Sequence, residues 1–425
     1  MKGPFRFSEL IPGNRLRPVI VGVLILSALL FSFISCAKKS GGDLDAALTL
    51  YRQNKLNDAL PLFEKAAFDD STNAEILCWL AETYRRLNLK DAAVQAARKA
   101  LTIDSCSSFA YTVLADATNP MYGKWDQANE DSAWSYLMKA IACDSTDGNA
   151  WLSVWSQAIK TGNTDLQKRA VQAFISTGIL SPGILAYNRW VLQSLPQNAM
   201  LLTNGDMDTY PAVAVQEVEK FRPDVAVVNY SLLNTTWYDR YIRDKFNIPL
   251  PYSDTELEQV QAFSDTSGKV TTIASQIMSG WLAMRQKGTL KRPVAIAATV
   301  SDLSFAADTK DHLCLMGPYK LWLPQPATTD LDTAAVRKSL LNINPDDYTA
   351  TLASIKDRSP VRYSTADKIV TNITALALQY SQKLIDAGRK QDALAMLDWA
   401  DAFENKSFLG PVLADEISQL RASAM

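Results

Sequence analysis

Small and large apolar residues recur along the first third of the chain at helical spacing. "DALPLFEKAAFDDST" places Ala59, Phe63 and Ala66 at i, i+4 and i+7, and "DAAVQAARKALTIDS" repeats the arrangement with Ala93, Ala97 and Ala100. Each position lies 34 residues from its counterpart, as 93 does from 59. That spacing gathers the apolar side chains on one face of a helix. The segment between them has its own face in Leu77, Leu80, Ala81 and Tyr84, with Asn88 at the turn that follows. A third copy carries Ala133, Leu137 and Ala140, displaced by 40 rather than 34. The six extra residues fall in "DATNPMYGKWDQANED", where Pro120 and Gly123 predict a loop. A fourth, weaker copy opens at "NAWLSVWSQAIKTGN", with Trp151 and Gly162.

A period of 34, with small residues where two helices approach and large ones in the groove, resembles the tetratricopeptide repeat. The resemblance implies stacked helical hairpins over residues 43–183, which together bury what one hairpin cannot bury alone. It also implies a surface that holds a protein partner.

The pattern then changes. "ILAYNRWVLQSLPQ" is a last helix, stopped by Pro196. "AMLLTNG" is a short apolar run that ends in a turn signal, which predicts a buried strand. "PAVAVQEVEKF" predicts a helix with Pro211 in its first turn, and "DVAVVNY" a second strand, so the three make a βαβ unit. "TTWYDRYIRDKF" and "TTIASQIMSGWLAMRQKG" read as helices, "RPVAIAATV" as a third buried strand, and "YKLWLP" as a shorter strand at the edge. These elements predict a small Rossmann-like, mostly parallel α/β domain over residues 184–325. Residues 326–425 return to helix, with one repeat-like hairpin carrying Gly388, Ala393, Leu397 and Ala400. The predicted fold class is α with an α/β insert, tetratricopeptide-type helical repeats flanking the small α/β domain.

The N-terminus has a different character. Lys2, Arg6, Arg15 and Arg17 precede "VIVGVLILSALLFSFISC", which runs uncharged from Val19 to Cys36. A basic start followed by an apolar run describes a secretory signal. Its end, "FISC", resembles a bacterial lipobox, although Phe33 stands where Leu is usual. The resemblance implies a lipoprotein signal peptide at 1–35, cleavage before Cys36, lipidation of Cys36, and a polar tether at 36–42. The competing reading is an uncleaved transmembrane anchor, for which the apolar run is about the minimum length. The expected location is a bacterial cell envelope, with the chain lipid-anchored to the membrane and its remainder in the periplasm.

Charge and cysteine usage narrow the chemistry. A net charge of −2 and the absence of a basic run leave no electrostatic footprint for nucleic acid. Cys78, Cys106, Cys143 and Cys314 form no CxxC or zinc spacing. Small buried thiols are favoured over a bridge, although an envelope compartment permits one. His312 is the single histidine, so His-rich metal sites are excluded and a Ser-His-Asp triad is not expected.

The segment "LPQNAMLLTNGDMDTYPAVAVQEVEKFRPDVAVVNYSLLNTTWYDRYI" resembles the soluble C-terminal region of multi-spanning, protein O-mannosyltransferase-like bacterial membrane proteins, a domain of unknown function. The matching pieces are Asn198-Ala199, Asn204 to Thr209, Gln216 to Glu219, Val227 to Asn229 and Leu232 to Tyr238. "RPVAIAATVSD" and "LCLMGPYKLWLP" resemble the strand and hairpin that follow in that family. The multi-spanning transferase core is absent, so its glycosyl transfer does not carry over. What the resemblance implies is an envelope domain whose relatives sit beside glycan chemistry.

In a parallel α/β sheet, ligands sit beyond the carboxyl ends of the strands. Those ends offer Asn204, Asp206, Asp208 and Thr209, then Asn229 and Ser231, then Ser301 and Asp302, and Trp237, Tyr238, Tyr230 and Tyr241 lie close in sequence to present rings to a sugar face. The two aspartates oppose phosphate. Carboxylates, amides and an indole suit sugar hydroxyls, or a hard cation with oxygen ligands. Plain capping of the following helix by Asp206 or Asp208 explains the same residues. A glycosidase pair is poorly served by two carboxylates on one tight turn. No catalytic residue, metal ligand or cofactor is assigned. Two functions remain open: an interaction protein that binds a partner through its repeats and a partner or glycan through the α/β domain, and an accessory or catalytic component of envelope glycosylation that acts through the Asp206/Asp208 loop.

Overall fold

The computed structural model describes residues 42–123, 125–266, 268–300, 307–349, 366–408 and 410–425. The apolar segment, Cys36, Ser301 and Asp302 lie outside the described residues. The chain forms two compact units, one ending at Asp104 and one beginning at Ser105.

The first unit is helical, with α1 (42–52), α2 (Leu56–Asp69), α3 (Ala74–Arg86) and α4 (Lys90–Ile103). The Asn73 side chain caps α3 by accepting from the N–H groups of Glu75 and Ile76. The periodic residues of α2 and α4 are fully buried, and Trp79 stacks on Phe63 while meeting Tyr51 edge-on. Asn54 and Asn88, 34 residues apart, both take left-handed backbone, with φ of 60° and 61°. Asparagine tolerates that conformation where other side chains resist it, so it fills the turn position that glycine holds at 162 and 388.

The second unit begins with α5 (Ser108–Thr118), α6 (Glu130–Cys143), α7 (Gly148–Lys160), α8 (Thr164–Ser176) and α9 (Pro182–Ser194). The helices α3, α5, α7 and α9 start at 74, 108, 148 and 182, so the intervals are 34, 40 and 34. The 40 contains the loop between α5 and α6, closed by the Asn129 N–H donating to the Thr118 carbonyl at 2.9 Å. Cys106 and Cys143 are joined by a disulfide across this hairpin, with their Cα atoms 5.2 Å apart. This corrects the expectation of free thiols. The antiparallel helix pair returns the end of α6 to the start of α5, a proximity that cysteine spacing does not encode. Cys78 and Cys314 are buried and take part in no disulfide among the described residues.

After α9 the interval of 34 would open another second helix. The chain instead enters β1 (Met200–Thr203), followed by α10 (Asp206–Glu219), β2 (Ala226–Asn229), α11 (Thr236–Phe246), α12 (Asp254–Leu257), the small β3 (Phe263–Ser264) and β4 (Val270–Thr271) pair, α13 (Ile273–Gln286) and β5 (Val294–Ala297). Then come α14 (Ala307–Lys310), β6 (Leu313–Leu315) and β7 (Tyr319–Trp322). The main sheet has the order β2-β1-β5-β7-β6. β1 pairs in parallel with β2 and β5, whereas β7 is antiparallel to both β5 and β6. The sheet is therefore mixed rather than mostly parallel. β7 follows β6 through a short turn at Gly317, which can form only an antiparallel pair. β7 is also interior, and β6 takes the edge position expected of it.

The C-terminal helices are α15 (Thr333–Leu341), α16 (Thr371–Asp386), α17 (Lys390–Lys406) and α18 (Ala414–Ala424). They hold α9 from outside the sheet. The Trp190 indole donates to the Ser339 carbonyl at 2.8 Å, and Asn372 donates to the Tyr187 hydroxyl at 3.3 Å.

One buried group stands out in this unit. Asp239, on α11, is fully buried, and among the described residues neither carboxyl oxygen has a hydrogen-bond partner. Burial pushes its carboxyl from 3.8 up to about 8, against a smaller opposing pull from Arg240. The folded protein therefore keeps a proton that the unfolded chain releases. Stability is expected to fall as pH rises from 3.8 to about 8, and Asp239→Asn should flatten that slope. Asp239→Leu should gain roughly 1–3 kcal/mol at pH 8. Urea unfolding at several pH values reads both effects.

Candidate functional site

Strand β1 ends at Thr203, and the chain turns through Asn204 and Gly205 into α10. Asp208, in the first turn of the helix, reaches back over this corner. Its Oδ2 accepts from the Asn204 N–H at 2.7 Å, and its Oδ1 from the Gly205 N–H at 2.9 Å. Gly205 has no side chain to return the bond, so this is one half of a capping box. The Thr299 hydroxyl, from the segment after β5, donates to Oδ2 as well. Asp208 is only 6% exposed, and burial raises its carboxyl above the usual range while these donors pull the other way.

The cap corrects one expectation. Helix α10 begins at Asp206, so Pro211 lies inside it rather than in its first turn. The Asp208 bonds organise an earlier turn, and the Gly205 carbonyl already accepts from the Thr209 N–H at 3.2 Å.

Most of the other candidates are drawn into the same network. The Thr209 hydroxyl shares a 2.6 Å bond with that of Thr203 and accepts from the Asn229 amide at 3.1 Å. Asn229 Oδ1 accepts from the Leu232 N–H at 3.0 Å, while the Asn229 N–H donates to the Tyr238 hydroxyl at 2.9 Å. Ser231 donates to the Asn204 carbonyl at 2.6 Å. Asn204, Asp208, Thr209, Asn229 and Ser231 thus close the carboxyl ends of β1 and β2 against one another. Asp206 is exposed at the helix start. Asp302 lies outside the described residues. Trp237 is half-buried on α11, its ring 5.7 Å from that of the buried Tyr238. His312 stacks on Trp322, and its Nδ1 lies 2.7 Å from the Leu323 carbonyl. Among the described residues no group of three His, Cys, Asp or Glu side chains is placed to hold a metal ion.

Two features escaped the sequence reading. The first is Tyr210, two residues beyond Asp208. Its ring meets Trp155 of α7 edge-on at 5.1 Å and lies 5.3 Å from Phe174 of α8, and its hydroxyl is 3.2 Å from that of Ser156. An aromatic residue amid polar neighbours was the available signal. The second is a cleft of about 330 Å³ away from the Asp208 network. Its walls are the 119–121 turn, one side of α7 with Gln157 and Lys160, and the start of α11 with Thr236 and Trp237. The signal there was the six-residue break in the repeat period. Lys160 contacts both carboxylate oxygens of Glu130 at 2.6 Å, and Lys160 and then Gln157 hold that carboxyl below its usual range.

A loop spent on capping responds to substitution in a particular way. Asp208→Asn is expected to cost roughly 1–3 kcal/mol, and Asp206→Asn, which removes an exposed first-turn charge, about 0.3–1 kcal/mol. Urea denaturation of the two variants measures the difference.

No curated protein matches the chain. Among solved structures, TTC0263, a thermophilic TPR protein of Thermus thermophilus, is 20% identical over 43% of this chain and 92% of its own, with a TM-score of 0.32. MamA is 18% identical over 47% of this chain and 93% of its own, with a TM-score of 0.25. YrrB, a TPR protein with an unusual peptide-binding site, is 17% identical over 48% and 84%, with a TM-score of 0.25. TM-scores this low carry no argument, and the repeat assignment rests on the helix intervals and their buried faces. A family model described as TMEM260-associated domain 2 matches residues 185–399, which take in most of α9, the whole main sheet, α15, α16 and the first part of α17. With half of its length matched by that model, the chain belongs to the TMEM260-associated domain 2 family.

Proposed function

We propose that the chain is a lipid-anchored, non-catalytic binding protein of a bacterial cell envelope. Its helical hairpins hold a protein partner, and its α/β region binds that partner or a glycan. The observation that carries this reading is the state of the Asp208 loop. A catalytic or metal-binding carboxylate must present oxygen lone pairs to a ligand. Those of Asp208 are turned onto two backbone N–H groups and the Thr299 hydroxyl. The glycosylation-linked alternative acts through the Asp206/Asp208 loop, and with Asp208 engaged in this way it is retained only as an accessory role. The resemblance to O-mannosyltransferase-like proteins supports that role.

The Cys106–Cys143 disulfide supports an oxidising compartment. The lipobox-like "FISC" supports attachment through Cys36. No helix among the described residues is long and apolar enough to cross a membrane.

The test is fractionation with crosslinking of the full-length chain in native membranes. Wild-type chain is expected to take up labelled palmitate and to crosslink reproducibly through its repeat helices to one protein, a membrane glycosyltransferase in the accessory reading. Cys36→Ser should lose the label and leave the membrane fraction. Retention of Cys36→Ser in membranes overturns the lipid anchor, and the absence of any reproducible crosslink overturns the scaffold.

A further inference from the structure

We infer that the cleft bounded by the 119–121 turn, α7 and the start of α11 is a binding site for a short uncharged saccharide. The inference rests on the reading that the α/β region binds a glycan, and it moves the site away from the Asp208 loop.

The cleft lies where regular patterns break. One wall is the insertion that lengthens a repeat from 34 to 40 residues, and another is the turn that leads from β2 into α11. The remaining wall is a polar stripe on α7, a helix whose other faces are buried. The stripe is held in place from behind, Ser156 by the Tyr210 hydroxyl and Gln157 and Lys160 by the Glu130 carboxylate, and it borders open space of about 330 Å³, at the small end of ligand clefts.

Electrostatics select the ligand class. Lys160 is the one ionisable residue on the wall among the described residues, and Glu130 already neutralises it through two 2.6 Å contacts. No uncompensated charge is left to attract a phosphate, a carboxylate or a cation.

Hydrogen-bonding capacity remains, with its orientation fixed. Asn119 Oδ1 accepts from the Met121 N–H at 2.9 Å, which leaves the Asn119 amide NH₂ to donate. Gln157 Nε2 donates to Glu130 at 3.1 Å, which leaves Gln157 Oε1 to accept. Among the described residues, the Thr236 hydroxyl and the Trp237 indole N–H have no protein partner. Thr235 does not cap α11, because its hydroxyl donates back to the Leu232 carbonyl at 2.7 Å. A mixed set of neutral donors and acceptors matches hydroxyl groups, each of which both donates and accepts. The half-buried indole of Trp237 supplies the apolar surface that the C–H face of a sugar ring covers. An extended peptide would be better served by a free sheet edge, and among the described residues no strand lines the cleft.

The full-length chain in detergent micelles is tested against a printed array of neutral mono- to tetrasaccharides and, in parallel, a tetrapeptide library. A saccharide hit is then titrated by calorimetry. Trp237→Ala should weaken binding roughly tenfold, and Gln157→Ala on the opposite wall should weaken it severalfold, with circular dichroism unchanged. Gln157→Ala keeps the test decisive if the tryptophan variant fails to fold. Saccharide binding that both folded variants retain overturns this site while leaving the glycan reading standing. Absence of any saccharide hit, or binding of tetrapeptides alone, overturns the inference and the glycan reading together.

Discussion

One carboxyl group sets the geometry on which the second unit depends. Asp208 ties the last residues before α10 to the first turn of that helix and takes a third bond from the segment after β5. It therefore fixes where the helix begins. Each residue of shift would rotate every side chain of α10 by about 100°. The phase that Asp208 sets carries Tyr210 into the groove between α7 and α8, against Trp155 and Phe174. The same corner holds β1 in register with β2 on one side and β5 on the other. Sheet and helical hairpins share one anchor, and Asp208, one of the two acidic residues that look like a site, belongs to it.

The helical part does not simply stop where the sheet begins. By its starting position α9 is the first helix of another repeat, and its expected partner is replaced by β1. α9 is then tied to the C-terminal segments, donating from Trp190 to the Ser339 carbonyl and accepting at Tyr187 from Asn372. Its buried faces serve hairpin and α/β region alike, and the family match begins within it.

Local rules made much of this legible. The 34-residue period, the displaced third copy and the left-handed position at Asn88 all follow from side-chain size and backbone preference, and the helices start accordingly. Strands β1, β2 and β5 were readable as apolar runs closed by turn signals. What stayed hidden depends on distant partners. Pro211 suggested a helix start because a missing N–H is harmless there, but a cap five residues earlier outweighed that local preference. The Cys106–Cys143 bond and the direction of β7 are set by hairpins that bring together residues no local rule connects. At the candidate site, residue types pointed to the carboxyl ends of β1 and β2. They could not reveal that Thr209 and Asn229 would satisfy each other, or that Trp237 would face a different cleft.

Amide hydrogen exchange on the wild-type chain tests the central claim most directly. If Asp208 is a structural clamp, the Asn204 and Gly205 amides should exchange as slowly as those inside β1, and no added saccharide, cation or partner should change their rates. Fast exchange at these two amides in the free chain, followed by protection when a ligand is added, would contradict the account and restore the loop as a binding site.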